Sequence, residues 1–150
     1  MERQFSDWRR WADRGALPDL GYPGVYALAI ALTELAGTPF SWRREIIYVG
    51  MTNAKGGLKA RLQQFENTIK GGEGHGGAHR VRFKHPDYHV LTSQLFVSVC
   101  PWACDVTAND PKNLRIMGAV AQHEYECFAL FVEKFGGLPE FNDKKKSPKK

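Results

Sequence analysis

Apolar residues are concentrated in three short runs that are typical of β-strands. Residues 25–32 and 45–51 are rich in apolar and β-prone side chains, and we expect them to form adjacent strands of one small sheet. Residues 89–100 predict a third strand. Leu95, Val97 and Val99 recur there at every second position, and Pro101 ends the run.

Helical spacing appears next, after two consecutive glycines. Four apolar residues recur at i, i+4, i+7 and i+11 and predict a helix with one continuous apolar stripe: Leu58, Leu62, Phe65 and Ile69. Five glycines between positions 71 and 77 then interrupt the helical pattern. We expect a flexible loop in this glycine-rich segment. His75 and His79 lie in or beside it, where a histidine is either simply exposed or able to contact phosphate.

Helical periodicity returns over residues 114–135, after Asp110 as a candidate N-cap and Pro111 at the first helical position. Glu124 lies within the apolar stripe of this helix, whereas Glu126 falls about 200° around it, on the face expected to be solvated. A buried carboxylate costs several kcal/mol unless it is paired, protonated or bound to a cation. Glu124 is therefore either bonded to a neighbouring Arg or Tyr or a candidate metal ligand.

Three segments are predicted along the chain: an N-terminal helical extension over residues 1–21, one domain over 22–143, and a disordered basic tail over 144–150. In the extension, Ser6 is expected to cap a short helix that carries Trp8 and Trp11 on one face. The tail contains five lysines, which either increase solubility or tether the protein weakly to DNA.

The composition fits a single core and an anionic partner. With 150 residues, of which 43% are apolar, the chain can build one sizeable core and has no room for a second domain. The formal net charge of +5 at pH 7 favours a partner that carries phosphates.

We expect a cytoplasmic, intracellular protein that does not contact membranes. Charged residues between positions 3 and 14 leave no apolar stretch of the kind that signal peptides contain. The longest apolar run, residues 25–32, is far shorter than a membrane span. The cysteines number only three, which fits a reducing compartment.

The first two predicted strands each carry a tyrosine next to a glycine. Tyr26 ends the string Gly24-Val25-Tyr26, and Tyr48 begins the string Tyr48-Val49-Gly50. Either tyrosine alone can be a packing residue, because aromatic side chains often fill a half-buried sheet face. Arg61 lies at the border of the apolar stripe of the first predicted helix. Its guanidinium is either an ordinary surface group or able to reach over the sheet while its stem packs.

Five elements in this order resemble the GIY-YIG nuclease domain. They are Gly24-Val25-Tyr26, Tyr48-Val49-Gly50, Arg61 within Leu58-x-x-Arg61-Leu62, Glu124 in its apolar helix, and Pro139-Glu140-Phe141-Asn142. The resemblance covers residues 22–143 and implies an α+β fold with a small antiparallel three-stranded sheet flanked by helices. Members of this family include repair, homing and restriction endonucleases.

The resemblance implies a role for each matched residue. Tyr26 and Tyr48 correspond to the paired tyrosines beside the scissile phosphate, one of which takes a proton from the attacking water. Arg61 corresponds to the arginine that binds this phosphate, and Asn142 to the asparagine that helps to order the site. Glu124 corresponds to the single acidic ligand of a divalent metal ion, which is Mg²⁺, with Mn²⁺ able to replace it.

The family often has a histidine or tyrosine four residues after the arginine, where this chain has Phe65. His75 is the candidate that replaces this residue in the catalytic set. Basic side chains that precede or follow the matched elements are the candidates for nucleic-acid contacts: Arg43, Arg44, Lys55, Lys59, His79 and Arg80.

The sequence therefore predicts a Mg²⁺-dependent endonuclease that hydrolyses DNA phosphodiester bonds. Its specificity would come from its loops, from the basic tail or from a protein partner. One alternative is a nucleic-acid-binding module with weak or no catalytic activity on the same scaffold. A second alternative is a zinc-stabilised interaction domain, in which Cys100 and Cys104 bind the metal together with His75, His79 or His85.

Overall fold

A computed structural model describes residues 3–148 of the chain and places an antiparallel sheet between two layers of helices. The sheet has four strands in the order β1-β4-β2-β3, one strand more than predicted. Their bounds are Arg9–Arg10 for β1, Gly24–Ile30 for β2, Ile46–Thr52 for β3 and Leu95–Pro101 for β4. The predicted α+β class is confirmed, and the predicted number of three strands is wrong.

Four α-helices and two short 3₁₀ helices accompany the sheet. The α-helices are α1 (Gly57–Ile69), α2 (Gly76–Lys84), α3 (Tyr88–Ser93) and α4 (Pro111–Phe135), and the 3₁₀ helices span Trp11–Ala16 and Glu140–Asn142. Helices α1 and α4 are the two that the apolar spacing predicts. Asp110 caps α4 as expected, since its side chain accepts a hydrogen bond from the Asn113 amide at 2.8 Å.

The predicted third strand over residues 89–100 is wrong in its first half. Tyr88–Ser93 forms α3, and the strand begins only at Leu95. The carboxylate of Asp87 accepts a hydrogen bond from the Val90 amide at 3.1 Å and starts the helix. This capping signal outweighs the β-propensity of the residues that follow it.

The predicted flexible loop in the glycine-rich segment is also only partly correct. Gly71 and Gly74 adopt positive φ values of 123° and 118°, which side chains other than glycine rarely reach, and they reverse the chain after α1. Helix α2 then begins at Gly76, with His75 as its N-cap. His75 is therefore held in place at the start of a helix and does not belong to a mobile loop.

The strands separate two apolar cores, because side chains alternate between the faces of the sheet. Tyr26 and Leu28 of β2 face α1 and α2, whereas Val25, Ala27 and Ala29 face α4. The α1 and α2 side buries the predicted stripe of α1, and the α4 side buries Val120, Cys127 and Phe131. The cleft described below lies on the α1 and α2 side.

The N-terminal segment packs into the fold and contains the 3₁₀ helix Trp11–Ala16. Arg9 and Arg10 pair with Val97 and Phe96 of β4. Ser6 caps no helix; its hydroxyl accepts a hydrogen bond from the Val99 amide at 3.0 Å. Trp8 packs in the core on the α4 side and Trp11 in the opposite one, so the two tryptophans do not share a face as predicted.

Residues 144–147, within the tail that the sequence predicts to be disordered, form a turn. The Ser147 hydroxyl donates a hydrogen bond to the Asp143 carbonyl at 2.6 Å, and Ser147 is 4% exposed. The last two lysines of the predicted tail, at positions 149 and 150, lie outside the described residues. Among the helices of residues 3–148, none combines the length and the apolar character that crossing a membrane requires.

Candidate active site

The two tyrosines lie side by side on one face of the sheet. Tyr26 pairs with Gly50 across β2 and β3, and Tyr48 pairs with Leu28. Positions two apart on a strand share a face, so both phenols project towards α1 and α2. Their ring centroids are 6.1 Å apart. Tyr26 is fully buried, whereas Tyr48 is only partly buried and lines a solvent-open cleft.

Two glycines leave the space that these phenols occupy. A Cβ atom at Gly50 would lie 2.4 Å from the Tyr26 hydroxyl oxygen, and one at Gly77 would lie 2.5 Å from the Tyr48 ring. Contacts this short are not tolerated, so each glycine is needed for the observed position of its tyrosine. Gly50, the last residue of the string Tyr48-Val49-Gly50, is thus required because a larger side chain would collide with the Tyr26 hydroxyl.

His75 fixes the hydroxyl group of Tyr26. Its Nε2 atom lies 2.7 Å from the Tyr26 oxygen, and its Nδ1 atom accepts a hydrogen bond from the Ala78 amide at 3.1 Å. Because Nδ1 is the acceptor, the proton of the neutral ring is on Nε2, and Nε2–H donates to Tyr26. The tyrosine hydroxyl is then free to donate its own proton to another acceptor.

The imidazole of His75 also packs against Tyr48 and against Phe65, which stands where the family often has a histidine or tyrosine. Its ring centroid is 5.5 Å from that of Tyr48 and 5.1 Å from that of Phe65. The side chain is fully buried. Burial, together with the charges of Arg61 and Arg80, lowers the pKa of His75 to about 3. His75 is therefore neutral at physiological pH and acts as a hydrogen-bonding group, not as a cation.

Both tyrosines are protonated at neutral pH. Burial strongly raises the pKa of Tyr26; the neighbouring Tyr48 and the carboxylate of Glu124 add to this, while Arg61 opposes it. Burial also raises the pKa of Tyr48, and the positive charges of Arg61 and Arg80 oppose the increase. Four of the predicted site residues, Tyr26, Tyr48, Arg61 and Glu124, thus influence one another electrostatically.

Arg61 and Glu124 approach this pair from two different helices. Arg61 on α1 is partly exposed, and its Nη1 donates to the Gln64 side chain at 2.7 Å. Glu124 on α4 is partly buried and Glu126 is exposed, which confirms the predicted orientation of the helix. Burial raises the pKa of Glu124, and Arg61 opposes this. Glu124 takes part in none of the four ion pairs among residues 3–148.

Asn142 attaches the C-terminal 3₁₀ helix to the edge of the sheet. Its Oδ1 accepts a hydrogen bond from the Val49 amide at 2.9 Å, and its Nδ2 donates to the Val49 carbonyl at 2.8 Å. Because β3 is an edge strand, the asparagine side chain takes the place of a further strand beside Tyr48. Its contribution is to position the strand, which agrees with the ordering role that the resemblance implies.

The open cleft beside Tyr48 has a volume of about 660 Å³. Its lining combines the predicted residues with others that are distant in sequence: Tyr48, Arg61, Gly76, Gly77, Arg80, Lys144, Ser147 and Pro148. The titratable side chains in this lining include three cations and no carboxylate, so the cleft suits an anionic ligand.

Arg80, a predicted nucleic-acid contact, is almost completely buried. It lies on α2 and is only 6% exposed. Its Nε and Nη2 atoms donate to the Phe141 carbonyl at 2.9 and 2.8 Å. The guanidinium nevertheless lines the cleft, so Arg80 belongs to the site itself.

The other predicted nucleic-acid contacts lie outside the cleft lining. Arg43 pairs with Glu45 at 2.8 Å, and the Arg44 guanidinium lies 5.0 Å from the Phe135 ring centroid, at the C-terminal end of α4. His79 is partly buried beside Arg82. Lys55 and Lys59 are exposed near the start of α1. Their role in nucleic-acid binding stays a prediction.

The residues of the zinc alternative are not brought together. Cys100 pairs with Val25 in the sheet and faces the α4 side, whereas His75 lies on the opposite side with Tyr26. Over residues 3–148, no group of three or more His, Cys, Asp or Glu side chains is arranged to hold a metal ion.

Sequence reasoning missed Gly77, Lys144 and Ser147 as residues of the cleft. Gly77 could have been found from the apolar pair Ala78 and Val81, whose spacing of three indicates a helix that starts within the glycine-rich segment. No local pattern places the turn at residues 144–147 against this cleft, because that contact depends on the tertiary fold.

No protein-family model, curated protein or solved structure matches this chain. A functional interpretation therefore depends on the residues of the cleft and on their geometry.

Proposed function

We propose that this protein is a metal-dependent endonuclease of the GIY-YIG type that hydrolyses DNA phosphodiester bonds. One observation carries the proposal. Tyr26, held by His75, lies beside Tyr48, and the charges of Arg61 and Glu124 both act on this pair of phenols. Four of the five elements that resemble the family, those of Tyr26, Tyr48, Arg61 and Glu124, thus lie close enough for their charges to act on one another.

Phosphodiester hydrolysis needs positive charge near the phosphoryl oxygens and a water positioned for attack. Arg61 supplies the charge at the cleft wall. Tyr48 contacts the water or the phosphate directly, since it is exposed to the cleft. Tyr26 is fully buried next to Tyr48 and orients the Tyr48 phenol. Because the pKa of Tyr48 is raised, its hydroxyl becomes a proton acceptor only when additional positive charge lies close to it.

Glu124 is the residue that would hold Mg²⁺ or Mn²⁺. Its partly buried carboxylate has no ion-pair partner among residues 3–148, and oxygen is the donor that these hard cations prefer. Mg²⁺ commonly keeps several waters and needs only one or two carboxylates from the protein. When bound, the ion would stabilise negative charge on the phosphoryl and leaving oxygens.

Nicking of supercoiled plasmid DNA tests the proposal. We expect cleavage in Mg²⁺ that EDTA abolishes. The Arg61→Ala variant should lose about 10²–10³-fold in rate with little change in stability, because Arg61 is partly exposed and its Nη1 donates to the exposed Gln64 side chain. Lys70→Ala is the matched control, since Lys70 is an exposed cation at the C-terminal end of the same helix and outside the cleft lining. Equal activities of the two variants would remove Arg61 from the site.

A nucleic-acid-binding module without catalysis is the second candidate. The raised pKa of both tyrosines favours it, because a phenol that keeps its proton does not activate water. Under this alternative the wild-type protein binds DNA and cleaves none in Mg²⁺. The Glu124→Ala variant then binds as tightly as the wild type.

A further inference from the structure

Arg80 keeps part of its guanidinium available to the cleft although the side chain is almost completely buried. Nε and Nη2 donate to the Phe141 carbonyl, which fixes the plane of the group. Arg80 is also one of the residues that line the cleft. The Phe141 carbonyl thus holds the guanidinium in one orientation at the cleft wall.

Among residues 3–148, no carboxylate neutralises this arginine, since Arg80 takes part in none of the four ion pairs found there. A buried charge without a counter-ion is costly, so its retention here indicates a site built for an anion. Arginine is also the side chain whose geometry best matches phosphate oxygens.

Two further groups converge on the same part of the cleft. Gly76 and Gly77 form the first turn of α2, whose backbone N–H groups have no acceptor within the helix. Lys144 is exposed at the cleft wall and brings a second cation from the C-terminal turn. The Arg80 guanidinium is held by the Phe141 carbonyl, whereas the Lys144 side chain is exposed to solvent.

We infer that Arg80, Lys144 and the start of α2 bind a second phosphate, adjacent along the strand to the phosphate that Arg61 binds. The inference rests on the proposed function. It requires that the substrate is a polynucleotide strand whose consecutive phosphates occupy both positions. Arg61 and Arg80 line the same cleft as Tyr48, and both charges act on the Tyr48 phenol. A ligand with a single phosphate fills only one of the two positions.

Thymidine 3′,5′-bisphosphate is a probe that carries two phosphates on one nucleoside. We expect the full-length protein to bind it about tenfold more tightly than thymidine 5′-monophosphate or 3′-monophosphate, as one additional charge-assisted contact implies. NMR titration of the backbone amides in EDTA measures these affinities. The amides of Gly76 and Gly77 should shift with the bisphosphate.

The variants locate the second position. Arg80→Gln and Lys144→Gln should each remove most of the preference for the bisphosphate. Arg82→Gln is the matched control: Arg82 lies on the same helix and donates to the Thr68 carbonyl, away from the cleft lining. Arg80→Gln loses the contact with the Phe141 carbonyl, which can destabilise the fold. Lys144 is exposed, so Lys144→Gln tests the second position without this effect.

Equal affinity for the bisphosphate and the monophosphates would overturn the inference, as would an equal loss in Arg82→Gln. Because the titration contains no metal ion, it is independent of cleavage. A bisphosphate preference in a protein that never cuts DNA would contradict the nuclease proposal and leave the second phosphate position intact. Cleavage of DNA by a protein that shows no preference for the bisphosphate would support the nuclease proposal and overturn the second phosphate position.

Discussion

Two glycines leave the space that the side chains of Tyr26 and Tyr48 occupy. Gly50 faces the Tyr26 hydroxyl and Gly77 faces the Tyr48 ring, each at a distance that leaves no room for a methyl group. The requirement is steric, because neither glycine adopts a positive φ. The position of each phenol is therefore sensitive to a single added carbon atom.

The Gly50→Ala variant should be less stable than the wild type by about 1–3 kcal/mol, because the new methyl group displaces the Tyr26 hydroxyl from His75. Urea unfolding measures the change. Gly118→Ala is the control: Gly118 is an exposed α4 residue with open space around it, so alanine there should raise stability by up to about 1 kcal/mol. Equal effects of both substitutions would show that Gly50 has no special contact.

His75 makes stability depend on pH. Its folded pKa of about 3 lies below the ordinary value of 6.5, so between these two pH values the unfolded chain binds a proton that the folded chain does not. Stability therefore falls as the pH decreases from about 6.5 towards about 3, by at most about 1.4 kcal/mol for each pH unit.

The His75→Gln variant should show a smaller loss of stability between pH 7.5 and pH 4.5 than the wild type, because glutamine has no proton to gain in this range. Urea unfolding at both pH values gives the comparison. His89→Gln is the control, since His89 is exposed and should leave the pH dependence almost unchanged. Identical slopes for all three proteins would mean that His75 is not buried as a neutral ring.

Single secondary-structure elements were predictable where a long apolar pattern exists. Helices α1 and α4 have continuous stripes, and β2 and β3 have dense apolar runs, so each was located to within a few residues. Helix α2 was missed because glycines open it, and α3 was missed because it spans only six residues. The two helices begin at residues whose side chains cap the first turn, His75 for α2 and Asp87 for α3. The helix propensities of the residues that follow do not reveal these caps.

Asn142 determines how the last 3₁₀ helix attaches to β3. The Asn142→Ala variant should lose about 1–2 kcal/mol of stability, because the two hydrogen bonds to Val49 disappear together. Hydrogen exchange at the Val49 amide should become faster. Asn67→Ala is the control, as the Asn67 side chain bonds only to that of Gln63 on the exposed face of α1. Unchanged exchange at Val49 would contradict this role.

For the molecule as a whole, the candidate site is assembled from both sides of the sheet. Arg61 and His75 come from the α1 and α2 side, whereas Glu124 comes from α4, which packs on the opposite face. The matched residues were individually predictable from the sequence because they lie in recognisable short strings. Arg80 and Lys144 were not predictable as cleft residues, since their positions depend on how α2 and the C-terminal turn dock.

Glu124 is unfavourable for the stability of the fold. Because burial raises its pKa, the ionised carboxylate lowers the stability of the folded protein at neutral pH. A residue that only stabilised the fold would not have this property. Its retention in an apolar stripe fits a functional requirement for an oxygen ligand.

The comparison of Glu124→Gln with Glu126→Gln in plasmid nicking with Mg²⁺ tests the nuclease assignment most directly. The two glutamates lie two residues apart on α4, one partly buried near the phenols and the other exposed. We expect Glu124→Gln to lose at least about 100-fold in rate while remaining at least as stable as the wild type, and Glu126→Gln to cleave normally. Full activity in Glu124→Gln, or loss of activity only in Glu126→Gln, would contradict a hydrolytic site built on Tyr26, Tyr48, Arg61 and Glu124.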